Sequence, residues 1–268
     1  MKKTNTNHAN GSATSSHTIS IVGSGNVATH FALALHHAGH TIRQVLSRSY
    51  DHSRLLALRV AAQPIDSWRL LDDKADIYIL AVNDDSLYDL ALDLRLPSAI
   101  VVHTSGTTPA NILRDISRRN GVVWSPQTFV RDIAMDYLHL PLCIEGSDQT
   151  TETFIADLFA SVSDNLHHLD YEQRRRAHLA AVMVSNFAGA INAAAQQYMN
   201  DNNLDFSMLR PLAEQTLRKW DYGDLWHQMT GPAIRRDDST IAAQRRLLAD
   251  RPDLLKLYDT LTELIQQH

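Results

Sequence analysis

The sequence predicts an α/β protein: a mostly parallel, doubly wound sheet in the N-terminal part and an all-helical C-terminal part. Three observations carry that prediction. From Thr18 onward, short apolar runs alternate with helical patterns, the signature of βαβ units. The first apolar run opens directly into a glycine turn and a helix. Strand signals stop near residue 170, and only helical periodicity follows. The expected organisation is a flexible tail at 1–16, a sheet domain at 17–170 and a helical domain at 171–268.

The first strand is Thr18–Val22, whose alternating β-favouring residues run into Gly23-Ser24-Gly25-Asn26-Val27-Ala28. A helix over Asn26–His37 places Val27, Phe31 and Leu35 on one face and has Gly39 as its stop. The second strand, Thr41–Leu46, ends in Ser47-Arg48-Ser49 and leads to a helix through Leu55 to Arg59, with a brief third strand at 61–64. The run 77–82 is almost wholly apolar, as a central strand covered on both faces requires. A helix at 86–94, a strand at 99–103 and, after the loop 104–109, a helix to about 118 come next. Strands at 121–124, 142–145 and 165–169, with a helix at 151–161, complete the sheet part. The remainder reads as helices at 171–200, 205–219, 225–229, 238–249 and 252–267.

Composition narrows the function. The net charge is −5, and residues 171–268 carry 12 Lys+Arg against 12 Asp+Glu, so neither part offers the basic face that nucleic acid requires. Cys143 is the only cysteine, which excludes an intrachain disulfide and a C-x-x-C zinc site and fits a reducing, cytoplasmic setting. The histidines share no ligand spacing, and no metal is expected. The first sixteen residues lack the apolar core of a signal peptide. The uncharged run 179–196 contains Ser185, Asn186, Gly189 and Asn192, and reads as a buried helix rather than a membrane span.

Strand, glycine turn and helix in that order form a dinucleotide fingerprint of the Rossmann type. Gly23 permits the tight turn, Gly25 lets the backbone approach a pyrophosphate, and Ala28 keeps the helix close to the sheet. The helix N-terminus, with Ser24, Asn26 and Val27, then faces the phosphates. Ligands in such sheets bind beyond the carboxyl ends of the strands, which selects three further segments. At the second strand end an NAD-preferring protein usually places an acid on the ribose hydroxyls. Here Ser47 and Arg48 stand instead, suiting the 2′-phosphate of NADP(H), although Arg48 also reads as a solvated cation at a strand end. Ala81, Val82 and Asn83 can lie against ribose and nicotinamide, while Asp84 and Asp85 are potential helix caps.

His103 and Ser105 follow the fifth strand, where a histidine beside hydroxyls reads either as an acid/base or as a hydrogen-bonded turn. In the helical part, His178 and Ser185 lie almost on one helical face, with Asn186 rotated by roughly 80–100°. These polar groups need partners, either a ligand or a neighbouring helix. Arg235 reads either as an anion contact or as a surface ion pair, and Asp237 as a helix cap.

I-V-G-S-G-N-V-A, L-S-R-S, A-V-N-D-D, H-T-S-G, S-P-Q-T-F, H-L-A-A-V-M-V-S-N-F and G-P-A-I-R-R-D together resemble a family of Rossmann-like proteins whose C-terminal half is domain of unknown function 2520 (DUF2520). The resemblance covers nearly everything from residue 18 to the end. The family pattern has Gly before the final Asp of the last element, where this chain has Arg236. In architecture the family is similar to pyrroline-5-carboxylate reductases, 6-phosphogluconate and β-hydroxyacid dehydrogenases, and F420-dependent NADP reductases. The Lys-x-x-x-Asn pair of the hydroxyacid dehydrogenases is absent, because Val182 stands four residues after His178.

The resemblance implies an NADP-dependent oxidoreductase with a small-molecule substrate and a homodimer formed through the C-terminal helices. Hydride would pass between NADP(H) and a small carbonyl, imine or hydroxy compound. His178 or His103 would handle the proton, with Asn186 or Ser105 orienting the substrate. A non-catalytic NADP(H) sensor or partner-binding protein is the alternative, since fold alone does not imply activity.

Overall fold

The structure is a computed structural model that describes residues 15–268. Most of the expected tail, residues 1–14, lies outside them. Eight strands form one sheet in the order β3-β2-β1-β4-β5-β6-β7-β8, with β1 at Thr18–Val22, β2 at Thr41–Leu46, β3 at Gln63–Ile65 and β4 at Ile77–Leu80. The others are β5 at Ile100–His103, β6 at Asn120–Trp124, β7 at Leu142–Gly146 and β8 at Leu166–His168. Every pairing is parallel except β6 with β7.

The apolar run of β4 shows why the sheet is covered twice. Ile77 and Ile79 enter one core with Phe31, Leu35, Leu158 and Phe159, while Tyr78 and Leu80 enter the other with Leu87, Leu94 and Leu113. The first core belongs to helices α1 (Asn26–His37), α2 (Tyr50–Arg59) and α4 (Gln149–Ala160), and the second to α3 (Asp84–Asp93). The period of two along a buried strand sends alternate side chains to opposite faces.

The chain divides into two compact units, Met1–Met183 and Val184–His268. The division falls inside a long helix that begins at residue 171, where α5 (Tyr171–Val182) passes through a π-helical turn, Met183–Phe187, into α6 (Ala188–Asp201). Three turns of α5 belong to the sheet unit because Arg174 and His178 pack there.

The second unit continues with α7 (Arg210–Arg218), flanked by short 3₁₀ turns, then α8 (Asp238–Leu247) and α9 (Pro252–Gln266). Asp237 caps α8 as expected, accepting from the Thr240 N–H. Within this unit Met199 is the only buried residue.

Three expectations are corrected. The helix expected from 110 to 118 is a single 3₁₀ turn, Ala110–Leu113, after which the chain turns into β6. No helix forms at 225–229, where backbone turns close onto Leu225 and Trp226 instead. The run 179–196 is not buried: Leu179, Met183, Val184 and Phe187 are each about half exposed. By length and composition alone, Tyr171–Asp201 is also apolar enough to cross a membrane. Its first turns, however, carry Glu172, Arg174, Arg175 and Arg176, and Arg174 is buried against the sheet.

Candidate functional site

The strand order runs outward from β1 to β3, then returns to β4 on the other side of β1. That reversal opens a crevice at the carboxyl ends of β1 and β4, where ligands of doubly wound sheets sit. Gly23 lies at its base with φ +122°, and a Cβ there would fall 2.2 Å from the Ala81 carbonyl oxygen. The Gly23 N–H donates to Leu46 O, at 2.7 Å, so the glycine turn is fixed to both neighbouring strand ends. Gly25 has an ordinary φ of −74°, and the space its Cβ would occupy is open. The two glycines therefore differ: Gly23 is needed for the protein's own packing, whereas Gly25 leaves room for something else.

A cavity of about 570 Å³ occupies the crevice. Gly23, Gly25, Asn26 and Val27 line it from the first βα turn, Ser47 and Arg48 from the end of β2, and Ala81, Val82 and Asn83 from the end of β4. Of the ten residues expected to hold the cofactor, only Ser24 does not line it. The Ser24 hydroxyl donates to Ser47 Oγ at 2.8 Å. Asn83 also serves the fold. Its side-chain oxygen caps α3 by accepting from the Ser86 N–H at 3.0 Å, which leaves its amide NH₂ for a ligand. Asp84 is thus not the cap, and its carboxylate accepts from Thr107 Oγ1 at 2.8 Å.

Sequence reasoning missed the third wall of the cavity, Asp66, Ser67 and Trp68, together with Asp89 from α3. The rule about strand carboxyl ends applied equally to β3, but a three-residue strand gives too weak a pattern to place its end.

The segment after β5 is a built turn. His103 is fully buried, and its Nδ1 accepts from the Ser105 N–H at 3.1 Å. Burial, reinforced by the nearby Arg174 charge, lowers its pKa to about 4. Ser105 Oγ accepts from the N–H groups of Thr107 and Thr108, at 3.1 and 3.0 Å. His103, through Nδ1, and Ser105 thus take part in one hydrogen-bonded turn, and among the described residues His103 Nε2 is buried without a hydrogen-bond partner.

Arg174 holds this turn from α5. Its side chain is 1 % exposed, pairs with Glu145 of β7 and donates to Thr108 O at 2.7 Å. Nothing in the sequence distinguished it from Arg175 and Arg176 beside it. One turn further along α5, His178 lies half-buried against Gly106, with its ring 5.7 Å from that of Trp124. His178 is thus joined to the 104–109 loop, as His103 and Ser105 are. Asn186 is an exposed residue of the π-helical turn, in the second unit. Such turns often occur at functional sites.

A glycine loop at the switch point of a doubly wound sheet defines the Rossmann-like class of dinucleotide-binding fold. Within it, residues 1–125 match the Rossmann-like domain model and residues 140–265 match the domain of unknown function DUF2520. The chain is 32 % identical to a provisionally assigned NADP oxidoreductase from Bacteroides fragilis, covering 94 % of this chain and 99 % of that one with a TM-score of 0.86. It belongs to the family of Rossmann-like proteins with a DUF2520 C-terminal domain.

The fold is shared more widely. A reductive aminase from Aspergillus terreus, solved with NADPH and ethyl levulinate, is 14 % identical over 94 % of this chain and 93 % of its own, with a TM-score of 0.70. A pyrroline-5-carboxylate reductase from Coxiella burnetii is also 14 % identical, over 94 % and 99 %, with a TM-score of 0.58. No curated protein matches.

Proposed function

We propose that the protein is an NADP(H)-dependent oxidoreductase acting on a small imine, carbonyl or hydroxy compound. The observation that carries this reading is the crevice cavity. It has an open cradle at Gly25, and at the end of β2 a hydroxyl and a guanidinium where an NAD site would place a carboxylate. The bound cofactor supplies hydride chemistry. The chain's part is to hold the pyrophosphate against the α1 N-terminus and the 2′-phosphate at Ser47 and Arg48. In this reading His178 holds or releases a proton, and Asn186 is the residue assigned to substrate orientation. The NADP oxidoreductase assignment of the Bacteroides fragilis relative and the NADPH of the Aspergillus terreus aminase support the cofactor.

The second unit supports a homodimer as part of the same proposal. A unit of this size with one buried residue and a half-exposed apolar helix face needs a cover, and a second copy supplies a matching face. Light scattering that returns a monomer at micromolar concentration would refute it. Cytoplasmic residence also belongs to the proposal, supported by the single, buried and unpaired Cys143.

The test is a titration with NADPH, NADH and their oxidised forms, followed by a screen of imines, keto acids and hydroxy acids with the preferred one. Tight NADH binding without a response to NADPH would sink the reading of Arg48. His178→Ala should abolish turnover and leave NADPH affinity nearly intact. One observation favours the non-catalytic sensor: the Ser105 hydroxyl and His103 Nδ1 are both used within the turn. Unchanged redox behaviour in every substrate class, with NADPH and NADP⁺ bound very differently, would select that reading.

A further inference from the structure

We propose that Arg131, on the segment that follows β6, completes the 2′-phosphate site of NADP(H) together with Arg48. This inference rests on the cofactor reading above and assigns a residue that no sequence motif singles out. Arg131 Nη2 donates to the backbone carbonyl of Ser24 at 2.8 Å, across 107 residues of chain. The Ser24 hydroxyl donates to Ser47 Oγ, also at 2.8 Å, and Arg48 follows Ser47. A continuous series of contacts thus links Arg131 to the strand end where the extra phosphate would lie.

Arg131 and Arg48 also have unmet charge. Among the described residues neither has a carboxylate within ion-pair distance, which they share with the other arginines outside the pairs of Arg43, Arg54, Arg174, Arg175, Arg210, Arg245 and Arg251. Arg131 is half-buried, with a neutral carbonyl as its one partner, so most of its fork of donors is unused. A phosphate dianion flanked by two guanidinium groups and the Ser47 hydroxyl would meet that need.

The segment is anchored in place. Phe129 is 8 % exposed and packs edge-on to Phe31, with ring centres 6.0 Å apart. Asn26 Nδ2 donates to Phe129 O, and His30 Nε2 donates to Val130 O, both at 2.9 Å. The Tyr137 hydroxyl lies 2.9 Å from His30 Nδ1 and fixes that ring. Arg131 is therefore held before any ligand arrives, so little ordering entropy opposes its contact. The pyrophosphate has its own partners, the free N–H groups of the α1 N-terminus, and does not require this cation.

The experiment measures dissociation constants for NADPH and NADH with the wild-type protein, Arg131→Gln and Arg131→Lys, by nucleotide fluorescence. Competition by adenosine 2′,5′-bisphosphate, which lacks the pyrophosphate, runs beside it. Arg131→Gln should weaken NADPH and the bisphosphate by about ten-fold or more, and NADH by less than about three-fold. Arg131→Lys should fall between wild type and Gln, and it gives the same ratio if the Gln variant does not fold. Equal weakening of NADPH and NADH would mean a pyrophosphate or scaffold role and overturn the proposal, as would unchanged affinities. A wild-type protein that binds no pyridine nucleotide would instead overturn the cofactor reading, and this inference with it.

Discussion

His178 lies directly against Gly106: a Cβ built on Gly106 would fall 2.5 Å from His178 Cδ2, and 2.8 Å from Trp124 Nε1. The absence of a side chain at 106 lets the helix of the sheet unit close onto the loop after β5. Trp124 is 6 % exposed and cannot retreat, whereas the half-buried His178 can. Gly106→Ala should therefore cost about 1–3 kcal/mol in urea unfolding, as overpacking does. Part of that cost should vanish when His178 is already Ala, a coupling read from the double-mutant cycle. Strictly additive losses would show that His178 does not rest on Gly106 in solution.

Gly23 and Gly25 should separate folding from binding. Gly23→Ala combines a φ of +122° with a backbone oxygen 2.2 Å from the new methyl group, and should cost on the order of 3 kcal/mol or more. Gly25→Ala meets nothing within 4 Å and should leave stability within about 1 kcal/mol. Its methyl group would occupy the space assigned to the pyrophosphate, so NADPH affinity should fall at least ~10-fold, since each 1.4 kcal/mol lost is a factor of ten. Urea melts and nucleotide titrations of the two variants check both arms. Full-strength NADPH binding by Gly25→Ala would place the pyrophosphate elsewhere.

His103 should make stability depend on pH. Its pKa is lowered from 6.5 to about 4 in the fold, so between those values the unfolded chain binds the extra proton. This contribution is complete above about pH 6.5 and is lost as pH falls toward 4. The full shift corresponds to roughly 3 kcal/mol at 1.36 kcal/mol per unit. His103→Gln should flatten the stability profile across that window. An unchanged slope would mean that His103 is solvated in solution rather than buried.

The parts of the fold legible in the sequence were those set by local pattern. β1, α1 and β2 begin and end where alternation, the glycine loop and Gly39 place them. Nine of the ten residues expected to hold the cofactor line one cavity because strand carboxyl ends converge at the switch point, whatever the distant packing. Arg174 and Arg131 were not legible, since each acts through a carbonyl, of Thr108 or Ser24, on a loop remote in sequence. The exposed face of the 179–196 run was misread for a related reason. Apolar composition says that a surface needs cover, but not whether its own chain provides it.

The turn before α8 gives the last prediction. Arg236 has φ +53°, in the left-handed region, at the position where the sequence resemblance leads one to expect Gly. Its N–H donates to Ala233 O at 3.1 Å, and its carbonyl accepts from the Asp238 N–H at 3.0 Å. The turn thus delivers the chain to the Asp237 cap of α8 with that conformation built in. A side chain there costs about 1 kcal/mol against glycine, and the greater freedom of glycine in the unfolded chain offsets part of the difference. Arg236→Gly should therefore be neutral or stabilising by up to ~1 kcal/mol. Arg236→Val, whose branched Cβ fits this region worst, should be destabilising by about 1–2 kcal/mol. Urea unfolding of both variants checks the order; a Val variant as stable as the Gly variant would mean that the left-handed turn is absent in solution.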